Sequence, residues 1–125
     1  MDKQSNIPYE AMGGKEVLEE LVETFYNKVE HHPLLAPIFP VDLTETIRKQ
    51  KQFLTQFLGG PQLYSNEHGH PMLRARHMPF AITEERAEAW LECMRSAMDE
   101  VNLEGPLREY IFERLTQTAY HMVNE

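Results

Sequence analysis

Proline and glycine cut this chain into segments that can be helices and little else. Pro33, Pro37 and Pro40 crowd one connector, Gly59-Gly60-Pro61 closes a second segment, Pro79 a third and Gly105-Pro106 a fourth. Each lacks either the backbone N–H or the restricted geometry that a helix needs to run on. Between these breaks the apolar residues recur at three- and four-residue spacing, the period of one helix face. The first stripe is Leu18, Leu21, Val22, Phe25 and Val29, with Glu16, Glu19, Glu20 and Glu23 on the other side. The second is Leu43, Ile47, Leu54, Phe57 and Leu58. The third is Ala87, Trp90, Leu91, Met94, Ala97, Met98 and Val101, and the fourth Leu107, Ile111, Leu115, Ala119 and Met122. No stretch of useful length alternates as a strand does. The expected fold class is all-α, with four substantial helices and short extras.

Local signals place the boundaries. Residues 1–6 form a loose polar lead-in, and Pro8 opens a short helix through Met12. Gly13-Gly14 supplies a tight corner before a helix that starts at Lys15 and ends at His31-His32-Pro33. The two histidines suit the negative end of the helix dipole. Asp42 is the expected N-cap of the next helix, with Glu45 completing a capping-box variant. That helix runs to Leu58. Residues 59–72 are expected as a loop, and a fourteen-residue loop in a small chain tends to serve function. His68-Gly69-His70 has a spacing that could bind a metal, but no third ligand of suitable type is near, and a solvated loop explains it. Thr83 caps the next helix, with Glu84 and Glu85 in its first turn.

A chain of 125 residues points to one domain, 1–125. Its formal charge of −8 argues against nucleic acid as a partner. The single cysteine, Cys93, allows no internal disulfide and fits a reducing compartment. No apolar run approaches about 18 residues, so neither a signal peptide nor a membrane span is expected, and a cytoplasmic location is.

The run Leu73-Arg74-Ala75-Arg76-His77-Met78-Pro79-Phe80 concentrates chemistry. Pro79 stops the helix and pushes Met78 out of helical geometry, so His77 should end a short turn on a stiff backbone. An imidazole between apolar residues with arginines beside it offers what a haem needs: a nitrogen ligand for iron and positive charge for the propionates. The bland alternative is a core or surface histidine with an ordinary hydrogen bond. Three further residues bear on the choice. Gln50 interrupts the second stripe between Ile47 and Leu54, with Thr46 a turn before it and Phe53 nearly a turn after. A buried amide needs a partner, so Gln50 implies a polar guest or neighbour, unless it reaches water at the stripe's edge. Tyr26 lies beside the first stripe, and its hydroxyl either reaches the surface or serves a site. Trp90, the only tryptophan, carries an indole N–H that buried sites rarely leave unpaired, or it simply fills the core. Charge adds a fourth sign. Between Thr46 and Thr83 five bases (Arg48, Lys49, Lys51, Arg74, Arg76) meet one acid, Glu67, a net +4 in an otherwise acidic chain. Both basic clusters are expected to flank the space that Gln50 and His77 would line, which suits a dianion with an apolar body.

Taken together, Gly13-Gly14, the Phe25-Tyr26 pair, Phe39, the run from Gly59 to Phe80 and the segment Ala89–Met94 resemble the truncated haemoglobins of the second group, the bacterial members above all. The similarity extends from about Pro8 to Val123. It implies a two-over-two helical sandwich around haem b. By position it also implies His77 as the proximal iron ligand, and Tyr26, Thr46, Gln50 and Trp90 on the distal side. Phe39 and Phe53 then match ring-packing positions, while Lys49, Tyr64 and Arg76 match groups that reach the propionates. Some relatives carry tyrosine where Phe39 stands, which leaves more of the distal network to Tyr26 and Trp90.

The expected function on that resemblance is O2 binding at ferrous haem, for transport or storage, with Tyr26, Trp90 and Gln50 as the polar network. NO, CO and peroxide are further candidate ligands. NO oxidation or peroxide turnover is the alternative, and it would need an external reductase, since the chain holds no flavin or nicotinamide motif. A haem-free helical adaptor, its basic patch facing an acidic partner, is the remaining alternative.

Overall fold

The computed structural model describes residues 7–125, with the Arg74 side chain outside the description, and the expected lead-in 1–6 lies outside the described residues. Seven α-helices are present among the described residues: α1 (Pro8–Ala11), α2 (Gly14–Val29), α3 (Thr44–Phe57), α4 (Leu63–His68), α5 (Leu73–His77), α6 (Glu84–Glu100) and α7 (Gly105–His121). A 3-10 turn, Ala36–Ile38, sits in the proline-rich connector. Among the described residues no strand occurs, and no helix is long and apolar enough to cross a membrane.

The four long helices form two pairs. The helix α2 packs on α3, α6 packs on α7, and α2 lies along α6 to join the pairs. The predicted stripes are the seams. Leu18, Leu21, Val22, Phe25 and Val29 of α2 meet Met94, Ala97 and Met98 of α6 in one core cluster, with Leu54, Leu58, Ile111 and Leu115 completing it. The eleven largest fully buried side chains are all apolar. Burying each stabilises the fold by roughly 1.5–3 kcal/mol before the cost of ordering the chain.

Several boundaries follow the sequence signals. Gly13 and Gly14 both adopt positive φ, +118° and +70°, and turn α1 into α2. Side chains are strained there, which is why the corner is built from glycine. The Thr83 hydroxyl accepts the Arg86 N–H at 3.1 Å and caps α6. His31 Nδ1 donates to the Asn27 carbonyl at 2.8 Å, covering one of the last carbonyls of α2.

Two expectations need correction. The capping box at α3 does not form. Asp42 Oδ1 accepts from the Thr44 N–H and hydroxyl at 3.0 and 2.7 Å, but the N-cap position falls on Leu43. Glu45 turns instead to Arg48, a full charge that outbids the neutral backbone donor. Residues 59–72 are not one loop, because α4 occupies their middle. Gln56 of α3 holds it there: its Oε1 accepts the Ser65 N–H and its Nε2 donates to Ser65 Oγ, at 2.9 and 2.7 Å.

The corner at Gly60 yields a prediction. A Cβ built there would lie 2.8 Å from Tyr9 Cδ2 and 2.9 Å from the Thr55 carbonyl. That carbonyl already accepts the Gly60 N–H at 2.8 Å, and Tyr9 N–H donates to Leu58 O at 2.9 Å, so α1 cannot easily yield. Gly60→Ala is expected to destabilise the protein by about 1–3 kcal/mol, read as a lower midpoint in urea. An unchanged midpoint would rule out the close approach.

Candidate functional site

Between the helix pairs and α5 lies a cavity of about 390 Å³. Its walls come from distant parts of the chain. The helix α2 gives Tyr26, α3 gives Thr46, Lys49, Gln50, Phe53 and Leu54, α4 gives Tyr64, α5 gives Arg76 and His77, and α6 gives Trp90. Phe39 enters from the proline-rich connector.

His77 ends α5, as the following Pro79 requires. Its Nδ1 donates to the Leu73 carbonyl one turn earlier at 2.7 Å. In the neutral ring the proton is then fixed on Nδ1, and Nε2 presents its lone pair. Just before α5 the chain turns at Met72, whose φ of +48° is unusual for a residue with a side chain. Its N–H donates to His70 Nδ1 at 3.0 Å, which helps hold the turn.

Tyr26 is 4% exposed, and no hydrogen bond to its hydroxyl occurs among the described residues. Among the described residues no polar side-chain atom fully cut off from open space lacks a partner, so the hydroxyl faces the cavity rather than packed protein. Burial raises its pKa well above the ordinary tyrosine value, which keeps the hydroxyl protonated and therefore a donor. Aromatic contacts fix the ring: Phe25 edge-on at 4.9 Å and Phe39 at 5.8 Å. Phe25, wholly buried, also meets Trp90 at 4.9 Å. Trp90 is half-buried, and neither its indole N–H nor the Gln50 amide has a hydrogen-bond partner among the described residues. These three residues line one cavity, and among the described residues nothing satisfies their donors.

The cavity lining is basic, but less so than the sequence suggested. Lys49 and Arg76 line the cavity. Arg48 instead bridges Glu45 and Glu67, at 3.1 and 2.8 Å, and holds the Glu67 carboxyl down at about 2. Lys51 pairs with Glu23 at 2.5 Å. The expectation that both clusters flank the site holds for Lys49 and Arg76, because Arg48 and Lys51 pair with Glu67 and Glu23 on other helices. Arg76 lies over the Tyr64 ring, 5.7 Å from its centre. His68 Nε2 donates to Gln52 Oε1 at 2.8 Å, and no group of three His, Cys, Asp or Glu stands together among the described residues.

Two groups of wall residues escaped the sequence analysis. Leu115, Ala119 and Met122 were visible only as a packing stripe, and their spacing does not distinguish a cavity wall from a helix seam. Arg86 also lines the cavity and carried no signal, since a first-turn arginine is ordinary on a surface helix.

A family model, bacterial-like globin, matches residues 7–124. The chain belongs to the bacterial-like globins. This family binds haem and small ligands. Over all 125 residues this globin is 67% identical to the group 2 truncated hemoglobin YjbI of Bacillus subtilis (strain 168), covering 94% of that protein. It superposes on the crystal structure of the group II truncated hemoglobin from Bacillus anthracis with a TM-score of 0.95, at 65% identity, covering 96% of this chain and 98% of that one. The X-ray structure of a truncated oxygen-avid haemoglobin from Bacillus subtilis matches with a TM-score of 0.93 at 70% identity, covering 95% and 100%. The fold of this globin is therefore the two-on-two truncated form.

The walls suit haem. A flat apolar ring needs apolar cover, and Phe39, Phe53, Leu54, Leu115 and Met122 provide it. Two propionates need cations or hydroxyls, and Lys49, Arg76 and Tyr64 line the same cavity. Iron needs a nitrogen with a free lone pair, and His77 Nε2 has one.

Proposed function

We propose that this globin binds O2 reversibly at a haem b held by His77, as a carrier or store of the gas. The observation that carries the reading is the Tyr26 hydroxyl, buried, protonated and unpartnered on the cavity that His77 also lines. A buried donor without an acceptor costs free energy, so the fold keeps it for a guest that accepts. A haem held there would supply the iron to which the gas binds and the electron density that polarises it.

The chain's own residues do the rest. His77 ligates through Nε2, and the Leu73 carbonyl on Nδ1 fixes its tautomer and raises its basicity. Tyr26 and Trp90 donate toward the charged end of the gas, with Gln50 as a third donor. Phe39 and Phe53 pack against the ring. Lys49, Arg76 and Tyr64 reach the propionates. Thr46, a short side chain in the cavity lining, leaves room for a small ligand to enter. The oxygen-avid character named for the Bacillus subtilis relative supports O2 as the guest.

The test is kinetic. Reduced, haem-supplied protein is expected to show an intense Soret band, to bind O2 fully and to release it slowly. A preparation that folds but stays colourless when supplied with haem would overturn the reading.

A further inference from the structure

Residues 78–83 connect α5 to α6 and must carry the backbone away from His77 around Pro79. The Phe80 N–H closes a turn on the His77 carbonyl at 3.0 Å. Beyond that turn the loop is held by two distant side chains. Asn124, just past the end of α7, reaches into it with its whole amide. Nδ2 donates to the His77 carbonyl at 3.2 Å and to the Phe80 carbonyl at 3.0 Å. Oδ1 accepts the Ile82 N–H at 3.0 Å, and the Asn124 backbone N–H donates to the Ile82 carbonyl at 2.9 Å. From the first turn of α6, Arg86 Nη1 takes the Ala81 carbonyl at 2.7 Å while Nε takes the Leu34 carbonyl at 2.8 Å. Every carbonyl from Phe80 to Ile82 therefore has a side-chain or backbone donor from outside the loop.

Asparagine is the residue this arrangement demands. Two carbonyls and one N–H must be satisfied from a single point, and a primary amide offers two donors and an acceptor on a short stem. Aspartate has the same shape but only accepts, and it would set a carboxylate against two carbonyl oxygens.

We infer that Asn124 is a positioning residue for His77: it fixes the backbone from which the imidazole reaches into the cavity, and so sets where Nε2 stands. The inference rests on the proposal that His77 ligates haem iron. A ligand is only as well placed as the groups that orient it. Here the ring is aimed from both ends, by Leu73 at Nδ1 and by Asn124 at the main chain.

The experiment uses reduced, haem-loaded protein free of gas. Two variants, Asn124→Asp and Asn124→Ala, are compared with the native chain by resonance Raman of the iron–histidine stretch and by amide exchange. Aspartate removes the two donors in an unchanged shape, and alanine removes all three side-chain bonds without adding charge. Both are expected to move the band to lower frequency and broaden it, and to speed exchange of the Phe80 amide about tenfold, on the loss of two hydrogen bonds. Amides in α2 and α6 should exchange as before. A band unchanged in position and width in both variants overturns the inference, even where Phe80 exchanges faster, since Asn124 would then hold the loop without setting the ligand. If aspartate prevents folding, alanine decides alone. A native protein without the band sinks the haem reading itself, and this inference with it.

Discussion

His77→Ala is expected to strip the haem-supplied protein of its native Soret band, and free imidazole in the buffer is expected to restore it. The argument is one of counting bonds. Structural zinc sites draw about 10–16 kcal/mol from four protein ligands, and on that scale one ligand is worth about 3 kcal/mol. That is about a hundredfold in affinity. The alanine leaves a hole the size of the lost ring, bounded by the same Leu73 carbonyl, so an imidazole from solution can occupy it in the same tautomer. Absorption titrations of both proteins with haem, with and without imidazole, make the comparison. An unaltered band in the alanine variant would move the ligand to another residue.

The second large effect concerns release of the gas. Tyr26→Phe and Trp90→Phe are each expected to raise the O2 dissociation rate about tenfold, and together about a hundredfold. A hydrogen bond to a charged acceptor is worth roughly 1.5–3 kcal/mol, and 1.4 kcal/mol is about a factor of ten. The association rate should change little, because affinity differences of this kind sit mostly in dissociation. Phenylalanine is the right replacement at Tyr26, since it keeps the edge-on packing with Phe25 and Phe39 and removes only the hydroxyl. The sign of the pH effect also follows. Burial raises the Tyr26 pKa, so the neutral donor persists through the range where an ordinary tyrosine ionises, and the native release rate should not rise as pH approaches about 10. Stopped-flow mixing of the oxygenated protein with CO or dithionite reads all of this. Equal rates in native and both variants would remove the donor pair from the mechanism.

Much of the fold could be read from residue spacing, because a helix that buries one face must repeat apolar residues with its own period. The α2 stripe is the clearest case: all five positions are buried. The site was legible where polarity broke that rule. Gln50 interrupts the α3 stripe, and Thr46, Gln50 and Phe53 do line one wall. What stayed hidden depends on partners far along the chain. Residue spacing offers Arg48 only Glu45 and Lys51 no acid at all, but Glu67 and Glu23 reach them across helix–helix contacts. The helix α4 was missed for a similar reason. Its six residues have no stripe of their own, and it forms because Gln56 supplies hydrogen bonds from α3. Asn124 carried no local signal, since its partners lie 42 to 47 residues away.

A void of about 390 Å³ at the heart of so small a protein has a thermodynamic corollary. On the proposed function, a porphyrin filling it would recognise the folded chain and not the unfolded one, so mass action would add its binding free energy to the stability of the polypeptide. The melting temperature would then be set jointly by this amino-acid sequence and by how much porphyrin the surroundings supply.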